Sequence, residues 1–422
     1  MPWLSRVRHP AITSKGLVLP AALFLVALVF SPMASSQTYQ PIHRFMGSDG
    51  EHPHAGLTMD AAGRLYGTTF EGGSRDYGTV FRLTRAGSGW VLNTLYSFQN
   101  FNDGFAPSAR VIFGPDGALY GTTYLGGSSN CGDGCGTVFR LQPPLSVCKT
   151  VLCPWTKTIL HTFGGTRQGN DGRNPLGDLV FDQQGNLYGA TNGGGQYDVG
   201  VVYELSRSGN SWTESILHSF TILFGNPVSG LTFDRDGNLY GTAQRVPNYY
   251  GGVYRLVPSG TGWTEEDLYK FRGGDDGGFP LAGVILDDAG NLYGSTNSLG
   301  PHGGGTVFEL SPADGGWLFS LLYGFFGNGG PTADLMFDPA GNLYGTTAGD
   351  GPFQLGSIFE LSPGSGGWTY LSLYDFSDAG VAAYPDSNVV RDANGNLYGT
   401  NVQGYGTFFC SGGCGGVWEI TP

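Results

Sequence analysis

The sequence predicts an all-β fold, a seven-bladed β-propeller of four-stranded blades. Three observations carry that expectation. Leu-Tyr-Gly recurs seven times at a spacing of roughly 50 residues, with its tyrosine at Tyr66, Tyr120, Tyr188, Tyr240, Tyr293, Tyr344 and Tyr398. A proline stands 13 residues before each of these tyrosines, from Pro53 to Pro385. The last unit stops after a third strand, and the missing fourth is found near the start of the chain. Gly (74) and Pro (24) together approach a quarter of the 422 residues, but they fall at fixed places in each unit and so mark turns rather than low complexity.

Within one unit, Pro227 to Phe271, the strands read in order. Leu231-Thr232-Phe233 is a short β-rich run (strand a). The turn Asp234-Arg235-Asp236-Gly237 leads into Asn238-Leu239-Tyr240-Gly241-Thr242 (strand b). Gly252 to Leu256 forms strand c, and Trp263 to Phe271 forms strand d after a glycine-rich turn. Strand a is apolar on both faces in most units, as in Leu179-Val180-Phe181, which suits a strand enclosed between neighbouring blades. The glycine after each Leu-Tyr implies that a neighbouring backbone or ring approaches closely there.

Length variation is confined to two of the four connections. The tyrosine of strand b is 14 residues from the strand c aromatic in Tyr240 to Tyr254, but 20 in Tyr398 to Trp418. The strand d phenylalanine is 6 residues from the next proline in Phe325 to Pro331, but 12 in Phe163 to Pro175. In an up-and-down blade the b-c and d-a connections emerge on one side, so the variable loops share one face of the disc, and ligands are usually held by such loops on a rigid scaffold. Loop aromatics Phe105, Tyr124, Tyr249, Tyr250 and Phe353 fall there. At the ends, Gly416 to Ile420 matches strand c, while Ile42-His43-Arg44-Phe45 matches the close of strand d in Leu95-Tyr96-Ser97-Phe98. The opening residues of the mature chain are therefore expected to complete the last blade and leave no unpaired edge.

Residues 1–36 differ in kind. Arg6, Arg8 and Lys15 precede an apolar run from Leu17 to Phe30, with small residues at Ala34, Ser35 and Ser36, the pattern of a signal peptide cleaved after Ser36. The expected domains are thus 1–36 signal peptide and 37–422 propeller, secreted or extracytoplasmic, at the cell surface or in a periplasm. No membrane insertion is expected after cleavage, and a monomer is expected. Removing three basic residues and no acidic one takes the formal charge from −13 to −16, which makes nucleic acid a poor partner and favours cations, neutral glycans or basic protein patches. Six cysteines fall in three close pairs, Cys131 with Cys135, Cys148 with Cys153 and Cys410 with Cys414, read as local disulfides in an exported chain.

The pattern Gly-Asn-Leu-Tyr-Gly-Thr-Thr at Gly341 to Thr347, followed elsewhere by Gly-Thr-Val-Phe as at Gly305 to Phe308, resembles the GloVer tandem repeat of exported bacterial proteins. That family is also called choice-of-anchor. The resemblance covers residues 37 to 422 and implies an extracytoplasmic location and a propeller-like repeat, with no catalytic residues to carry over. The chain differs from anchored members in ending at Ile420-Thr421-Pro422 without an apolar segment.

Familiar catalytic signatures, such as G-x-S-x-G or H-E-x-x-H, are absent from the sequence. The recurring aspartates of the a-b turn, Asp182, Asp234, Asp338 and Asp392, read as hairpin turns rather than calcium loops, because Leu239 stands where a calcium loop needs glycine. His43, His161 and His218 occupy a strand d position held elsewhere by tyrosine and read as framework. Glu51, His52 and His54 could offer a metal two or three ligands. No cofactor is expected from motifs, and calcium is the one ion left open. Asp103, Asp171 and Asp276, like Asp49 and Asp378, recur in the d-a loops, either as Asp-Gly turns or as a carboxylate ring at the channel mouth.

The position three past each proline discriminates better. It holds Gly56, Arg110, Asp178, Gly230, Gly283, Asp334 and Asn388, and a switch from glycine to charged and amide residues at one framework position breaks a local rule. Either Arg110 and Asp178 are a plain salt bridge, or the set with Asp334 and Asn388 is a site. The leading expectation is a non-catalytic protein that binds an extracellular glycan or protein on its variable-loop face. The alternative is a carbohydrate-active hydrolase or lyase with Asp178 and Asp334 as acid and base. A structural surface component is the third reading.

Overall fold

A computed structural model describes residues 37–144, 155–165, 170–209, 211–260, 262–378, 380, 382–404, 410 and 413–422. The described residues form seven antiparallel sheets, each ordered a-b-c-d from the axis outward. In the first blade these strands are Thr58–Met59, Leu65–Thr69, Thr79–Ala86 and Gly89–Ser97. The ring closes as expected. Thr38–Arg44 pairs antiparallel with Gly416–Thr421, from Thr38 opposite Thr421 to Arg44 opposite Gly416. Buried Glu419 locks this seam, accepting from Gln40 Nε2 at 2.5 Å and Tyr398 Oη at 2.8 Å and pairing with Arg85 of the first blade.

The repeated letters have separate tasks. In each a-b turn the aspartate closes the hairpin by itself. Asp182 Oδ1 accepts from the amides of Gln184 and Asn186, and its Oδ2 accepts from Asn186 Nδ2 at 2.9 Å and Tyr188 Oη at 3.1 Å. The tyrosine of Leu-Tyr-Gly thus reaches back to the aspartate six residues before it, or four before it in the second blade, where Tyr120 bonds Asp116 and Gly114 holds the usual place. The glycine makes room for a ring, since a Cβ on Gly67 would lie 2.6 Å from Phe81 Cζ. The next threonine stitches neighbouring blades together: Thr68 donates to Ala109 O, Thr346 to Ser387 O and Thr400 to Ala55 O.

Core lies between blades. The strand d phenylalanine of one blade meets the strand c aromatic of the next edge-on, as in Phe98 with Phe139 at 5.5 Å and Phe220 with Tyr254 at 5.0 Å. Each such fully buried side chain contributes roughly 1.5–3 kcal/mol relative to exposure, so the energy that holds the ring is repeated at every seam.

Two features differ from the expectation. Strand a is only two residues long in each blade, for example Thr232–Phe233, because just upstream the backbone turns its amides to the neighbouring blade. Arg110 N donates to Asp178 Oδ1 and Gly283 N to Asp334 Oδ1. Strand d also carries a bulge opposite the strand c aromatic, which skips Leu95 in the first blade and Ile42 in the last. The bulge breaks alternation so that consecutive residues of Leu-Tyr-x-Phe can face the seam.

Bridges Glu51 to Glu71, Phe105 to Leu125, Gly278 to Ser298 and Ala383 to Gln403 pair d-a loops with the b-c loops of their own blades, so the variable connections do share one face. Cys131–Cys135 and Cys410–Cys414 are disulfides with Cα atoms 5.2 and 5.3 Å apart, both in b-c loops. Cys148 and Cys153 lie outside the described residues, as do residues 1–36. No helix among the described residues is long and apolar enough to cross a membrane.

Candidate ligand site in the axial channel

The residues three past each proline converge at the axis. Gly56, Arg110, Asp178, Gly230, Asp334 and Asn388 border a cavity of about 620 Å³ on the variable-loop side, and all of these but Gly56 also border a second of about 610 Å³ toward the a-b turns. They form a polar belt between two chambers. Glycines at the remaining belt positions are what let it close, since a Cβ on Gly56 would sit 1.3 Å from Asn388 Oδ1.

The salt bridge weighed from sequence is present: Arg110 Nε lies 2.5 Å from Asp178 Oδ2. It also lines both cavities. Arg110 keeps 31% of its side-chain surface open, yet that surface faces the narrow channel and protein surrounds the group. The charge of Asp178, opposed by burial and helped by Asp334, holds the Arg110 guanidinium above its ordinary value. Burial and then the charge of Asp178 push the Asp334 carboxyl upward, against Arg110 and the Gly283 amide. The two carboxylates therefore stand in unlike surroundings, one neutralised by a cation and one favouring its proton.

The variable-side chamber sets polar groups among aromatic and aliphatic walls. Phe70 and Tyr124 line it beside Asn192 and Gln244, and His54 with Asp386, 3.7 Å apart, stands at its edge. Ser108 Oγ, Thr332 Oγ1 and Asn388 Oδ1 are buried there without a hydrogen-bond partner, and a buried polar atom left unpaired costs about 1–3 kcal/mol. The opposite chamber is lined by Met59, Val180, Phe181, Phe233, Ile285 and Met336 among others. Sequence reasoning singled out the belt and Tyr124 but not Phe70, Asn192 or Gln244. All four stand four residues past a Leu-Tyr-Gly tyrosine, a position that varies as freely as the belt, so the same comparison of units finds them.

The d-a loop aspartates are placed elsewhere, and the carboxylate-ring reading is corrected. Asp103 takes the Tyr96 hydroxyl at 2.8 Å and Lys157 Nζ at 2.9 Å, Asp171 takes the Gly164 amide at 2.6 Å, and Asp276 takes the Tyr269 hydroxyl at 2.9 Å. They clamp the end of strand d to its own loop and do not border either channel cavity. The metal candidates also regroup. Glu51 and His52 converge with Glu71, His52 Nδ1 standing 3.1 Å from Glu71 Oε2, whereas His54 turns into the channel toward Asp386. The b-c loop supplies the third group because it pairs with the d-a loop there.

The sequence model of the Gloeobacter/Verrucomicrobia repeat matches residues 26–223 and 213–412. No curated protein sequence matches the chain. Among solved structures, a Bacteroides uniformis protein described as a 6-phosphogluconolactonase candidate is similar over 76% of this chain and 83% of its own, at 16% identity and a TM-score of 0.46. A Thermus thermophilus protein described as a candidate oxidoreductase of glucose dehydrogenase type is similar over 91% and 100%, at 15% identity and 0.41. A Xanthomonas campestris gluconolactonase is similar over 59% and 77%, at 15% identity and 0.36.

Proposed function

The chain belongs to the family of the Gloeobacter/Verrucomicrobia repeat, and from that premise we propose that it is an exported binding protein that holds the end of a glycan in the variable-side chamber. The supporting observation is the chamber floor. Arg110, Asp178, Asp334 and Asn388 offer donors and acceptors around one cavity, next to the unpartnered Ser108 and Thr332 hydroxyls, with Phe70 and Tyr124 as walls. Hydroxyl groups pair with such a floor, and the apolar face of a pyranose packs on an aromatic wall. A cavity of about 620 Å³ suits one or two sugar units rather than a protein segment. Export through the 1–36 leader belongs to this proposal, and N-terminal sequencing of the secreted product beginning at Gln37 tests it.

Binding is tested by a glycan array followed by calorimetry with the best mono- or disaccharide. Asn388→Ala and Tyr124→Ala should each lower affinity without a change in the circular dichroism spectrum. Saccharide binding that survives both substitutions refutes the placement.

One observation favours the hydrolase or lyase reading as a second choice. Asp334 is pushed toward its protonated form beside an Asp178 paired with a cation, and unlike carboxyls on one cavity are how an acid and a base are told apart. Release of new reducing ends from the bound glycan, abolished by Asp334→Asn with affinity retained, is the outcome that would promote it.

A further inference from the structure

The seam between the second and third blades holds a second cluster, far from any motif. His161 is the last residue but one of strand d in the second blade (Thr156–Thr162), Asp171 lies in the following loop, and Glu214 is on strand d of the third blade (Ser211–Ser219). His161 Nε2 is 3.3 Å from Asp171 Oδ2 and 3.4 Å from Glu214 Oε1, and all three ligand atoms lie within 4.8 Å of one another. Ligands bonded to a tetrahedral zinc at about 2.0–2.1 Å stand about 3.4 Å apart, so two of the three edges already have coordination length. Glu214 Oε1 is buried and accepts no hydrogen bond, and the fully buried Tyr203 hydroxyl of the same seam is also unpartnered.

Neighbouring seams give the comparison. Between the first and second blades the same three positions hold Tyr96, Asp103 and Lys157, and Lys157, like Glu214, stands two residues past the strand d tryptophan. There the Lys157 ammonium sits 2.9 Å from Asp103 Oδ1 over the rings of Phe98 and Phe139, so that seam brings its own cation. In the next seam a carboxylate replaces the lysine while the loop aspartate stays. Between the third and fourth blades His218 and Glu265 pair at 3.0 Å, but the loop from Thr221 to Phe224 has no acidic residue. Only the middle of these three seams combines a histidine with two carboxylates.

We propose that His161, Asp171 and Glu214 form a site for a divalent transition-metal ion of the zinc type, completed by water, that fastens the second blade to the third. A histidine nitrogen and two carboxylate oxygens are ordinary zinc donors, and a dication supplies the charge that Lys157 supplies one seam earlier. The three side chains are 19, 10 and 15% exposed, enough for an ion to enter from solvent.

The test is calorimetric titration of chelator-treated protein with zinc chloride, together with its melting temperature. About one equivalent should bind to the wild type and raise the melting temperature. Asp171→Asn and Glu214→Gln should each weaken binding by about tenfold or more. Glu214→Lys copies the neighbouring seam and should abolish uptake while melting, without zinc, no lower than the metal-free wild type. Glu265→Gln, in the sister seam, and Glu71→Gln, in the surface cluster with Glu51 and His52, should bind zinc like the wild type. No uptake by the wild type overturns the site, as does uptake indifferent to both Asp171→Asn and Glu214→Gln, or uptake lost in Glu71→Gln.

Discussion

The two ends of the axial channel enclose nearly equal spaces, about 620 and 610 Å³, share the belt residues Arg110, Asp178, Asp334 and Asn388, and differ in their remaining walls. Toward the a-b turns the walls are the apolar residues of strand a, which recur because each must also pack against the adjacent blade: Phe181 sits edge-on to Tyr120 at 5.0 Å and Phe233 to Tyr188 at 5.0 Å. Toward the variable loops the lining comes from positions one to three past the proline and four past the tyrosine, where the residue type changes from blade to blade. The contrast separates walls that repeat from walls that vary, which is the basis for placing a ligand at one end.

Four substitutions can break or sharpen that contrast. Arg110→Ala should have the largest effect, because it leaves Asp178 and Asp334 facing each other. Breaking a fully buried pair costs about 3–5 kcal/mol, and the partly open channel reduces this to roughly 2–3 kcal/mol, read from urea unfolding, with saccharide binding lost as well. Phe233→Ala should cost about 2 kcal/mol of stability through lost packing on Tyr188 and leave saccharide affinity unchanged. A matching loss of affinity would mean that both chambers belong to one site. Tyr124→Ala should show the reverse, about a tenfold loss of affinity, or 1.4 kcal/mol, with unfolding little altered.

The smallest effect is expected from Asp334→Asn and appears in the pH dependence. The folded Asp334 carboxyl is raised above its ordinary value, so the folded state holds this proton more tightly than the unfolded chain does. Its contribution is complete below about pH 4 and declines as pH rises through the folded value. Asp334→Asn should therefore flatten the fall in stability above pH 4 while leaving the acid limb alone. That limb is set by a-b turn aspartates such as Asp234, where burial is outweighed by the Asn238 side chain and amide, so that the carboxyl is lowered and its contribution is lost as pH falls below about 4. An unchanged slope in Asp334→Asn would place the charge balance of the belt elsewhere.

Much of this was legible from spacing. The constant interval from proline to tyrosine is the length of a hairpin whose turn is closed by its own aspartate, so no distant residue is needed to set it. The belt was legible for the same reason, since one position in seven equal units points at one axis. The bulge in strand d was not, because Leu-Tyr-x-Phe reads equally as a plain strand when the partner register is unknown. The loop acids were left between two readings because Asp-Gly says only that a turn exists. Their partners, Lys157 for Asp103 and Glu214 beside Asp171, lie on the next blade, 54 residues away in the first case. Aligning the units at the strand d tryptophan would have exposed the exchange of lysine for glutamate.

By itself the sequence determined the number of blades, the order of their strands, the face that carries the variable loops and the strand that closes the ring. These follow from local hydrogen bonding and from periodic burial, which a linear chain records as intervals. Tertiary structure alone decided that Glu71 rather than His54 joins Glu51 and His52, that the belt divides the channel in two, and that one seam gathers a histidine with two carboxylates. Those outcomes depend on side chains of different units meeting across a few ångströms, and no interval along the chain encodes that distance.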